Sequence, residues 1–183
     1  MSNPSAPPGK SLKYALVEWE RRFLLDGLPA GANPRTTARI VDRYIHQTRL
    51  RLRRTVDSAT QTRTVYKVTQ KVPAAHGTGA AGLMTTIYLS AVEYEVLLRL
   101  PASELGKTRH RIPPGTIDVF DPPLAGLVLA EVEFDSDESM QVFEPPPFVV
   151  AEVTGDERFT GGRLASMTSA GLAELLSSFD VRR

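Results

Sequence analysis

The chain has 183 residues, of which 42% are apolar and 23% charged, and its formal net charge is +1. That length is enough for one continuous core, the composition excludes a disordered or fibrous chain, and the charge balance excludes an overall attraction to nucleic acid or an anionic membrane. There is no cysteine, which excludes disulfides, thiolate metal ligands and a cysteine nucleophile.

In chain order, residues 1–10 are small, polar and proline-rich and read as a flexible tail without the apolar stretch of a signal peptide. Residues 11–183 read as a single domain. No apolar run approaches the ~18 residues that cross a bilayer, so a cytoplasmic protein without a membrane or nucleic-acid-polymer partner is expected. Thirteen glycines and fourteen prolines punctuate segments that mostly alternate with a period of two. The alternation predicts strands over 13–24, 39–45, 49–55, 64–72, 83–90, 107–112, 116–120, 127–134 and 149–153. So many short strands predict a barrel or a sandwich. Segments 28–35, 74–81 and 145–147 read as loops. Ser90-Ala91-Val92-Glu93 matches a capping box and starts a helix that Pro101 stops. A second helix is expected within 166–179, where Leu172, Leu175 and Leu176 have helical spacing, packed on the outside or end of the barrel.

Charge is sorted by strand. In the first, Glu18, Glu20 and Arg22 share one parity and Ala15, Val17, Trp19 and Phe23 the other. Arg51 and Arg53 stand opposite Leu50 and Leu52; Lys67, Thr69 and Lys71 share a face; Lys107, Arg109 and Arg111 alternate with Thr108, His110 and Ile112; Glu131 and Glu133 oppose Val132 and Phe134. A solvated surface mixes signs along each strand to limit repulsion, whereas here cations and carboxylates fall largely on separate strands. Counter-ions of both signs would relieve that repulsion. Carboxylates suit a hard cation such as Mg²⁺ or Mn²⁺, and arginine and lysine rows suit phosphate oxygens. Together they describe a metal-bound polyphosphate inside a closed barrel.

These residues resemble the CYTH superfamily, the triphosphate tunnel metalloenzymes. Glu18-Trp19-Glu20-Arg21-Arg22 resembles the opening Glu-x-Glu-x-Lys, with arginine for the final lysine. Leu50-Arg51-Leu52-Arg53, Val68-Thr69-Gln70-Lys71, Lys107-Thr108-Arg109 with Ile117-Asp118-Val119-Phe120, Ala130-Glu131-Val132-Glu133-Phe134, and Glu152-Val153-Thr154 with Asp156 follow in the family order. The resemblance implies a mainly β fold, a closed eight-stranded antiparallel β-barrel tunnel with a few peripheral helices. It implies metal-dependent hydrolysis of inorganic tripolyphosphate or a small organic triphosphate. Glu18, Glu20, Glu131 and Glu133 would bind Mg²⁺ or Mn²⁺ or orient water, with Glu152 a further metal ligand. Arg22, Arg51, Arg53, Lys71, Lys107 and Arg109 would hold phosphate, and Lys67 joins them because it shares Lys71's face. A monomer or homodimer is expected.

The family pattern often has a third acidic pair in the middle strand, but here that strand reads Met84-Thr85-Thr86-Ile87-Tyr88, and Thr160-Gly161-Gly162 stands where asparagine is usual. Glu93 and Glu95 fall on the predicted helix and read as cap and surface. The departure leaves open one metal where the family often binds two, a different substrate, or a module that binds polyphosphate or nucleotide without turnover; a class IV-like adenylate cyclase is a further alternative. His46, His76 and His110 show no metal-ligand spacing.

Overall fold

The structure, a computed structural model, describes residues 14–72, 82–179 and 181. The tail expected over 1–10 and the loop expected over 74–81 lie outside the described residues. The strands are β1 (Leu16–Leu25), β2 (Thr36–Ile45), β3 (Leu50–Asp57), β4 (Thr64–Val72), β5 (Gly82–Leu89), β6 (Ala102–Ile112), β7 (Gly115–Phe120), β8 (Val128–Phe134) and β9 (Val149–Glu152). They pair in the order β5-β4-β3-β2-β6-β7-β8-β1, and β1 pairs again with β5, closing an eight-stranded antiparallel barrel. One edge of β1 serves two partners: residues 16–18 pair with β5 and residues 23–25 with the extra strand β9. Closure leaves β1–β8 without the unpaired ladder groups an open sheet would expose.

Residues paired across a ladder share a face, so the registers carry one inward row around the barrel. Along that row, polarity changes with depth. Glu18, Glu20 and Arg22 of β1 give way to Leu24; Glu133 and Glu131 of β8 to Leu129; Arg109 and Lys107 of β6 to Leu105; Asp118 of β7 to Phe120. The apolar ends of these rows are buried with Val153, Phe159, Leu164, Leu172 and Leu176. The last four belong to the 3-10 turn Glu157–Phe159 and to helices α3 (Gly161–Leu164) and α4 (Ser169–Ser177) that follow it. Each fully buried leucine there contributes about 1.5–3 kcal/mol, and together they close one end of the bore. A second cluster, Phe23, Leu25, Ile117, Val128, Ala130 and Val132, lies on the opposite face of β1, β7 and β8 and packs against Phe143 and Val149.

The capping box forms as read: Ser90 Oγ accepts from the Glu93 amide at 3.3 Å and Glu93 Oε2 from the Ser90 amide at 2.7 Å, at the start of α1 (Ala91–Leu97). Tyr94 on this helix is buried, its ring 4.5 Å from that of Tyr66 on β4. One strand start and one short helix differ from expectation. β6 begins at Ala102 and not at 107, because its first half pairs fully with β2 although Ala-Ser-Glu-Leu-Gly lacks strand formers. Helix α4 lies within the expected span 166–179, starting at Ser169, where Thr168 Oγ1 accepts from the Gly171 amide and sets the N-cap. The short helix α2 (Asp137–Gln141), between α1 and α3, is too brief to leave a periodic signal. Among the described residues no helix is long and apolar enough to cross a membrane.

Candidate functional site

Every predicted site residue except Glu152 belongs to the inward row. Glu20 stands opposite Glu133, Arg22 opposite Glu131, Arg109 opposite Asp118, and Asp42, Arg53 and Lys67 follow one another across β2, β3 and β4. On the strands this row carries eight cations (Arg22, Arg51, Arg53, Lys67, Lys71, Lys107, Arg109, Arg111) against seven carboxylates (Glu18, Glu20, Asp42, Asp57, Asp118, Glu131, Glu133), an excess of one positive charge. An enclosed excess of that sign favours a polyanion.

Two fully buried aspartates anchor the deeper cations. Arg53 donates from Nε and Nη2 to the two carboxylate oxygens of Asp42, at 2.6 Å each. Burial acts to raise the Asp42 pKa, but Arg53, with Arg51 beyond it, outweighs that and lowers it to about 2. Arg51 Nη2 lies 3.4 Å from Thr69 Oγ1, while its Nε is buried 3.6 Å from Asp42 without a hydrogen-bond partner. Asp118 likewise accepts from Lys107 and, bidentately at 2.6 Å, from Arg109. These side chains are therefore held in place with no ligand present.

The carboxylates of β1 and β8 form a second tier. Arg109 Nη2 also donates to Glu131 at 2.6 Å; Arg22 donates to Glu131 at 3.2 Å and to Glu20 at 2.7 Å; Lys71 donates to Glu18 at 2.6 Å. Burial works against the charge on Glu131, yet Arg109, Lys107 and Arg22 hold its carboxyl well below the ordinary range. Glu20 moves the other way, raised by burial and by the neighbouring Glu131. Lys67 and Arg111 have no side-chain partner among the described residues. Burial, with Arg53, Arg51 and Arg109 nearby, pushes Lys67 down to about 8.

Among the described residues no three acidic or histidine side chains converge as a ready-made metal cage. The donor set nevertheless fits a hard divalent ion. Glu20 and Glu133 lie directly opposite each other, a like-charge pairing that costs stability unless a cation relieves it. A cavity of about 450 Å³ opens beside them, lined by Arg109, Arg111, Thr36, Thr116, Glu131 and Glu133 among others.

Glu152 does not join this group. Its ladder partner is Phe23, on the other face of β1, and it accepts from Arg21 Nε and Nη2 at 2.9 and 2.7 Å and from Thr154 at 2.7 Å. Arg21 also donates to the Phe143 carbonyl at 2.6 Å, so the pair ties β9 to the outside of β1. A four-residue strand offers too little alternation to reveal its face. Asp42 and Asp118 were absent from the predicted site: Asp42 is the one charge among Thr36, Ala38, Ile40 and Tyr44 on its parity of β2, and Asp118 has no like-charged neighbour on its strand. Arg111 shares the parity of Lys107 and Arg109, and that shared parity was its signal.

Fold and bore together define a closed antiparallel barrel of the kind found in an inorganic triphosphatase. A crystal structure of the inorganic triphosphatase NE1496 is similar to this chain with a TM-score of 0.53 at 26% identity, over 82% of this chain and 95% of that one. A structure of the hypothetical protein NE1496 gives 0.54 at 28% identity, over 82% and 99%. In sequence, the chain is 39% identical over 92 residues to the inorganic triphosphatase of Nitrosomonas europaea, a match covering 42% of this chain and 61% of that protein. The match thus spans less than two thirds of that relative's length. No family model matches the chain.

Proposed function

We propose that the protein is a CYTH-type tunnel enzyme that hydrolyses the terminal anhydride of a triphosphate, inorganic tripolyphosphate or a small organic triphosphate, with Mg²⁺ or Mn²⁺. The observation that carries this is the inward excess of cations, with Arg53, Lys107 and Arg109 fixed on buried aspartates and facing the carboxylates of β1 and β8. The similarity to an inorganic triphosphatase supports it. Arg53, Arg51, Lys107 and Arg109 grip phosphate oxygens and neutralise charge on them as the anhydride breaks. Glu20, whose pKa burial and the neighbouring Glu131 raise, is suited to orient water and accept its proton. Glu20, Glu131 and Glu133 would hold the divalent ion, which when bound supplies positive charge to the phosphate oxygens.

The test is phosphate release from tripolyphosphate with Mg²⁺ or Mn²⁺, with an EDTA control and Glu131→Gln. The expected result is turnover abolished by EDTA and reduced about a hundredfold or more in the variant. A second reading, binding without turnover, is favoured by one feature: the inward residues of β5 are Met84, Thr86 and Tyr88, none of them acidic. Tripolyphosphate that raises the melting temperature without phosphate release would select it.

A further inference from the structure

Six of the eight inward cations touch or approach a carboxylate: Arg22, Arg51, Arg53, Lys71, Lys107 and Arg109. The other two, Lys67 and Arg111, have no carboxylate partner among the described residues, and the row's remaining carboxylate, Asp57 at the end of β3, accepts from the Ala59 amide and from Thr60. Both lie on the open-end side of the belt of paired charges. On β4, Lys67 is four residues nearer the open end than Lys71; on β6, Arg111 is four residues nearer it than Lys107. The file Lys107, Arg109, Arg111 runs about 13 Å along its strand at ~3.3 Å per residue, beyond what a triphosphate's two anhydride links span. Its two outer members line the same cavity as Glu131 and Glu133. Behind the belt, Leu24, Leu105, Phe120 and Leu129 block the bore.

From this juxtaposition we infer that Arg111 and Lys67 form an outer phosphate subsite, and that the bore takes linear polyphosphate chains longer than three units, end first. The inference rests on the triphosphatase reading and extends it to chain length. A blocked inner end admits only a chain terminus to the belt. In each turnover, water oxygen bonds to the terminal phosphorus, the bond from that phosphorus to the bridging oxygen breaks, and the oxygen leaves on the chain. One orthophosphate and a chain one unit shorter result, with no oxidant or other co-reactant. The exposed phosphates next along would lie against Arg111 and Lys67, where charge-assisted hydrogen bonds hold them.

Calorimetric titration in EDTA reads binding without turnover. The probes are tripolyphosphate, a linear polyphosphate of about 15 units and a purine nucleoside triphosphate. The expected result is tightest binding of the long chain, with its advantage over tripolyphosphate reduced about tenfold in Arg111→Ala and further when Lys67→Ala is added. Arg99→Ala, at an exposed arginine after α1, should leave that ratio intact. Arg111 is exposed, so its truncation spares the fold. A long chain bound no tighter than tripolyphosphate, an advantage that survives Arg111→Ala, or a preference for the nucleoside triphosphate would each overturn the subsite and leave the tunnel reading standing. If tripolyphosphate itself fails to bind, both fall.

Discussion

Asp42 shows what a single buried carboxylate does in this barrel. It accepts two hydrogen bonds of 2.6 Å from Arg53 and is almost entirely inaccessible to solvent. Its folded pKa of about 2 lies below the ordinary 3.8. A depressed acid stabilises the fold above its unfolded pKa and ceases to as pH falls through the folded one, so Asp42 contributes about 2 kcal/mol that is lost between about pH 4 and pH 2. Asp42→Asn removes the charge and leaves Arg53 buried and unpaired, at a cost of about 3–5 kcal/mol. Denaturant unfolding at pH 7 should show that loss, and the gap between wild type and variant should shrink at pH 3. A constant gap would mean that packing, and not the ion pair, accounts for the difference. This residue was hidden in the sequence for a physical reason. The charged rows of β1, β3, β4, β6 and β8 are legible because a strand sends alternate residues to one face, and like charges repeated on that face stand out. Asp42 and Asp118 are single acids whose like-charged neighbours do not exist, and only the ladder register brings each under its two cations.

At the scale of elements, most strands and the Ser90 capping box could be read in advance because alternation and caps are local. The early half of β6 could not, since its pairing with β2 outweighs weak strand formers, and the four residues of β9 carry too short a pattern to orient Glu152. The seam between β2 and α3 is set by another nonlocal fact. Gly161 opens α3 against the Tyr44 ring, and a Cβ there would fall 1.7 Å from the tyrosine hydroxyl. Burial, with Asp42 nearby, raises Tyr44 to about 12, so it stays a neutral phenol wedged between the charged belt and the helices. Gly161→Ala must push α3 outward or tilt Tyr44 into Arg51 and Asp42. Overpacking of that kind costs about 1–3 kcal/mol, to be read as a lower melting temperature. Tyr44→Phe in the same chain removes the nearest atom and should restore part of the loss. If the two substitutions add independently, Gly161 and Tyr44 do not contend for the same space.

Over the whole molecule, most of the charged groups that face the bore are held as ion pairs. Arg22 spans Glu20 and Glu131, Arg109 spans Asp118 and Glu131, and Lys71 holds Glu18. A polyphosphate that draws Arg22, Arg109 and Lys71 onto its own oxygens strips Glu18, Glu20 and Glu131 of their counter-charges. Carboxylates left crowded in a partly buried bore are costly. A divalent cation placed among them removes that cost, and a polyphosphate already holding the cations removes the competition such an ion would meet. Each ligand thus prepares the site for the other, and linkage requires the effect to be reciprocal. The melting temperature should rise more with tripolyphosphate and Mg²⁺ together than the two separate rises add up to, with a coupling of at least about fivefold in affinity. Mg²⁺ chelation by tripolyphosphate in solution is controlled by holding the free concentrations fixed. In Glu131→Gln the excess should largely vanish, because Arg22 and Arg109 lose the carboxylate they share. Strictly additive shifts in the wild type would mean that the ion pairs stay closed when the polyanion enters, with the phosphates held by Arg51, Lys67 and Arg111 alone.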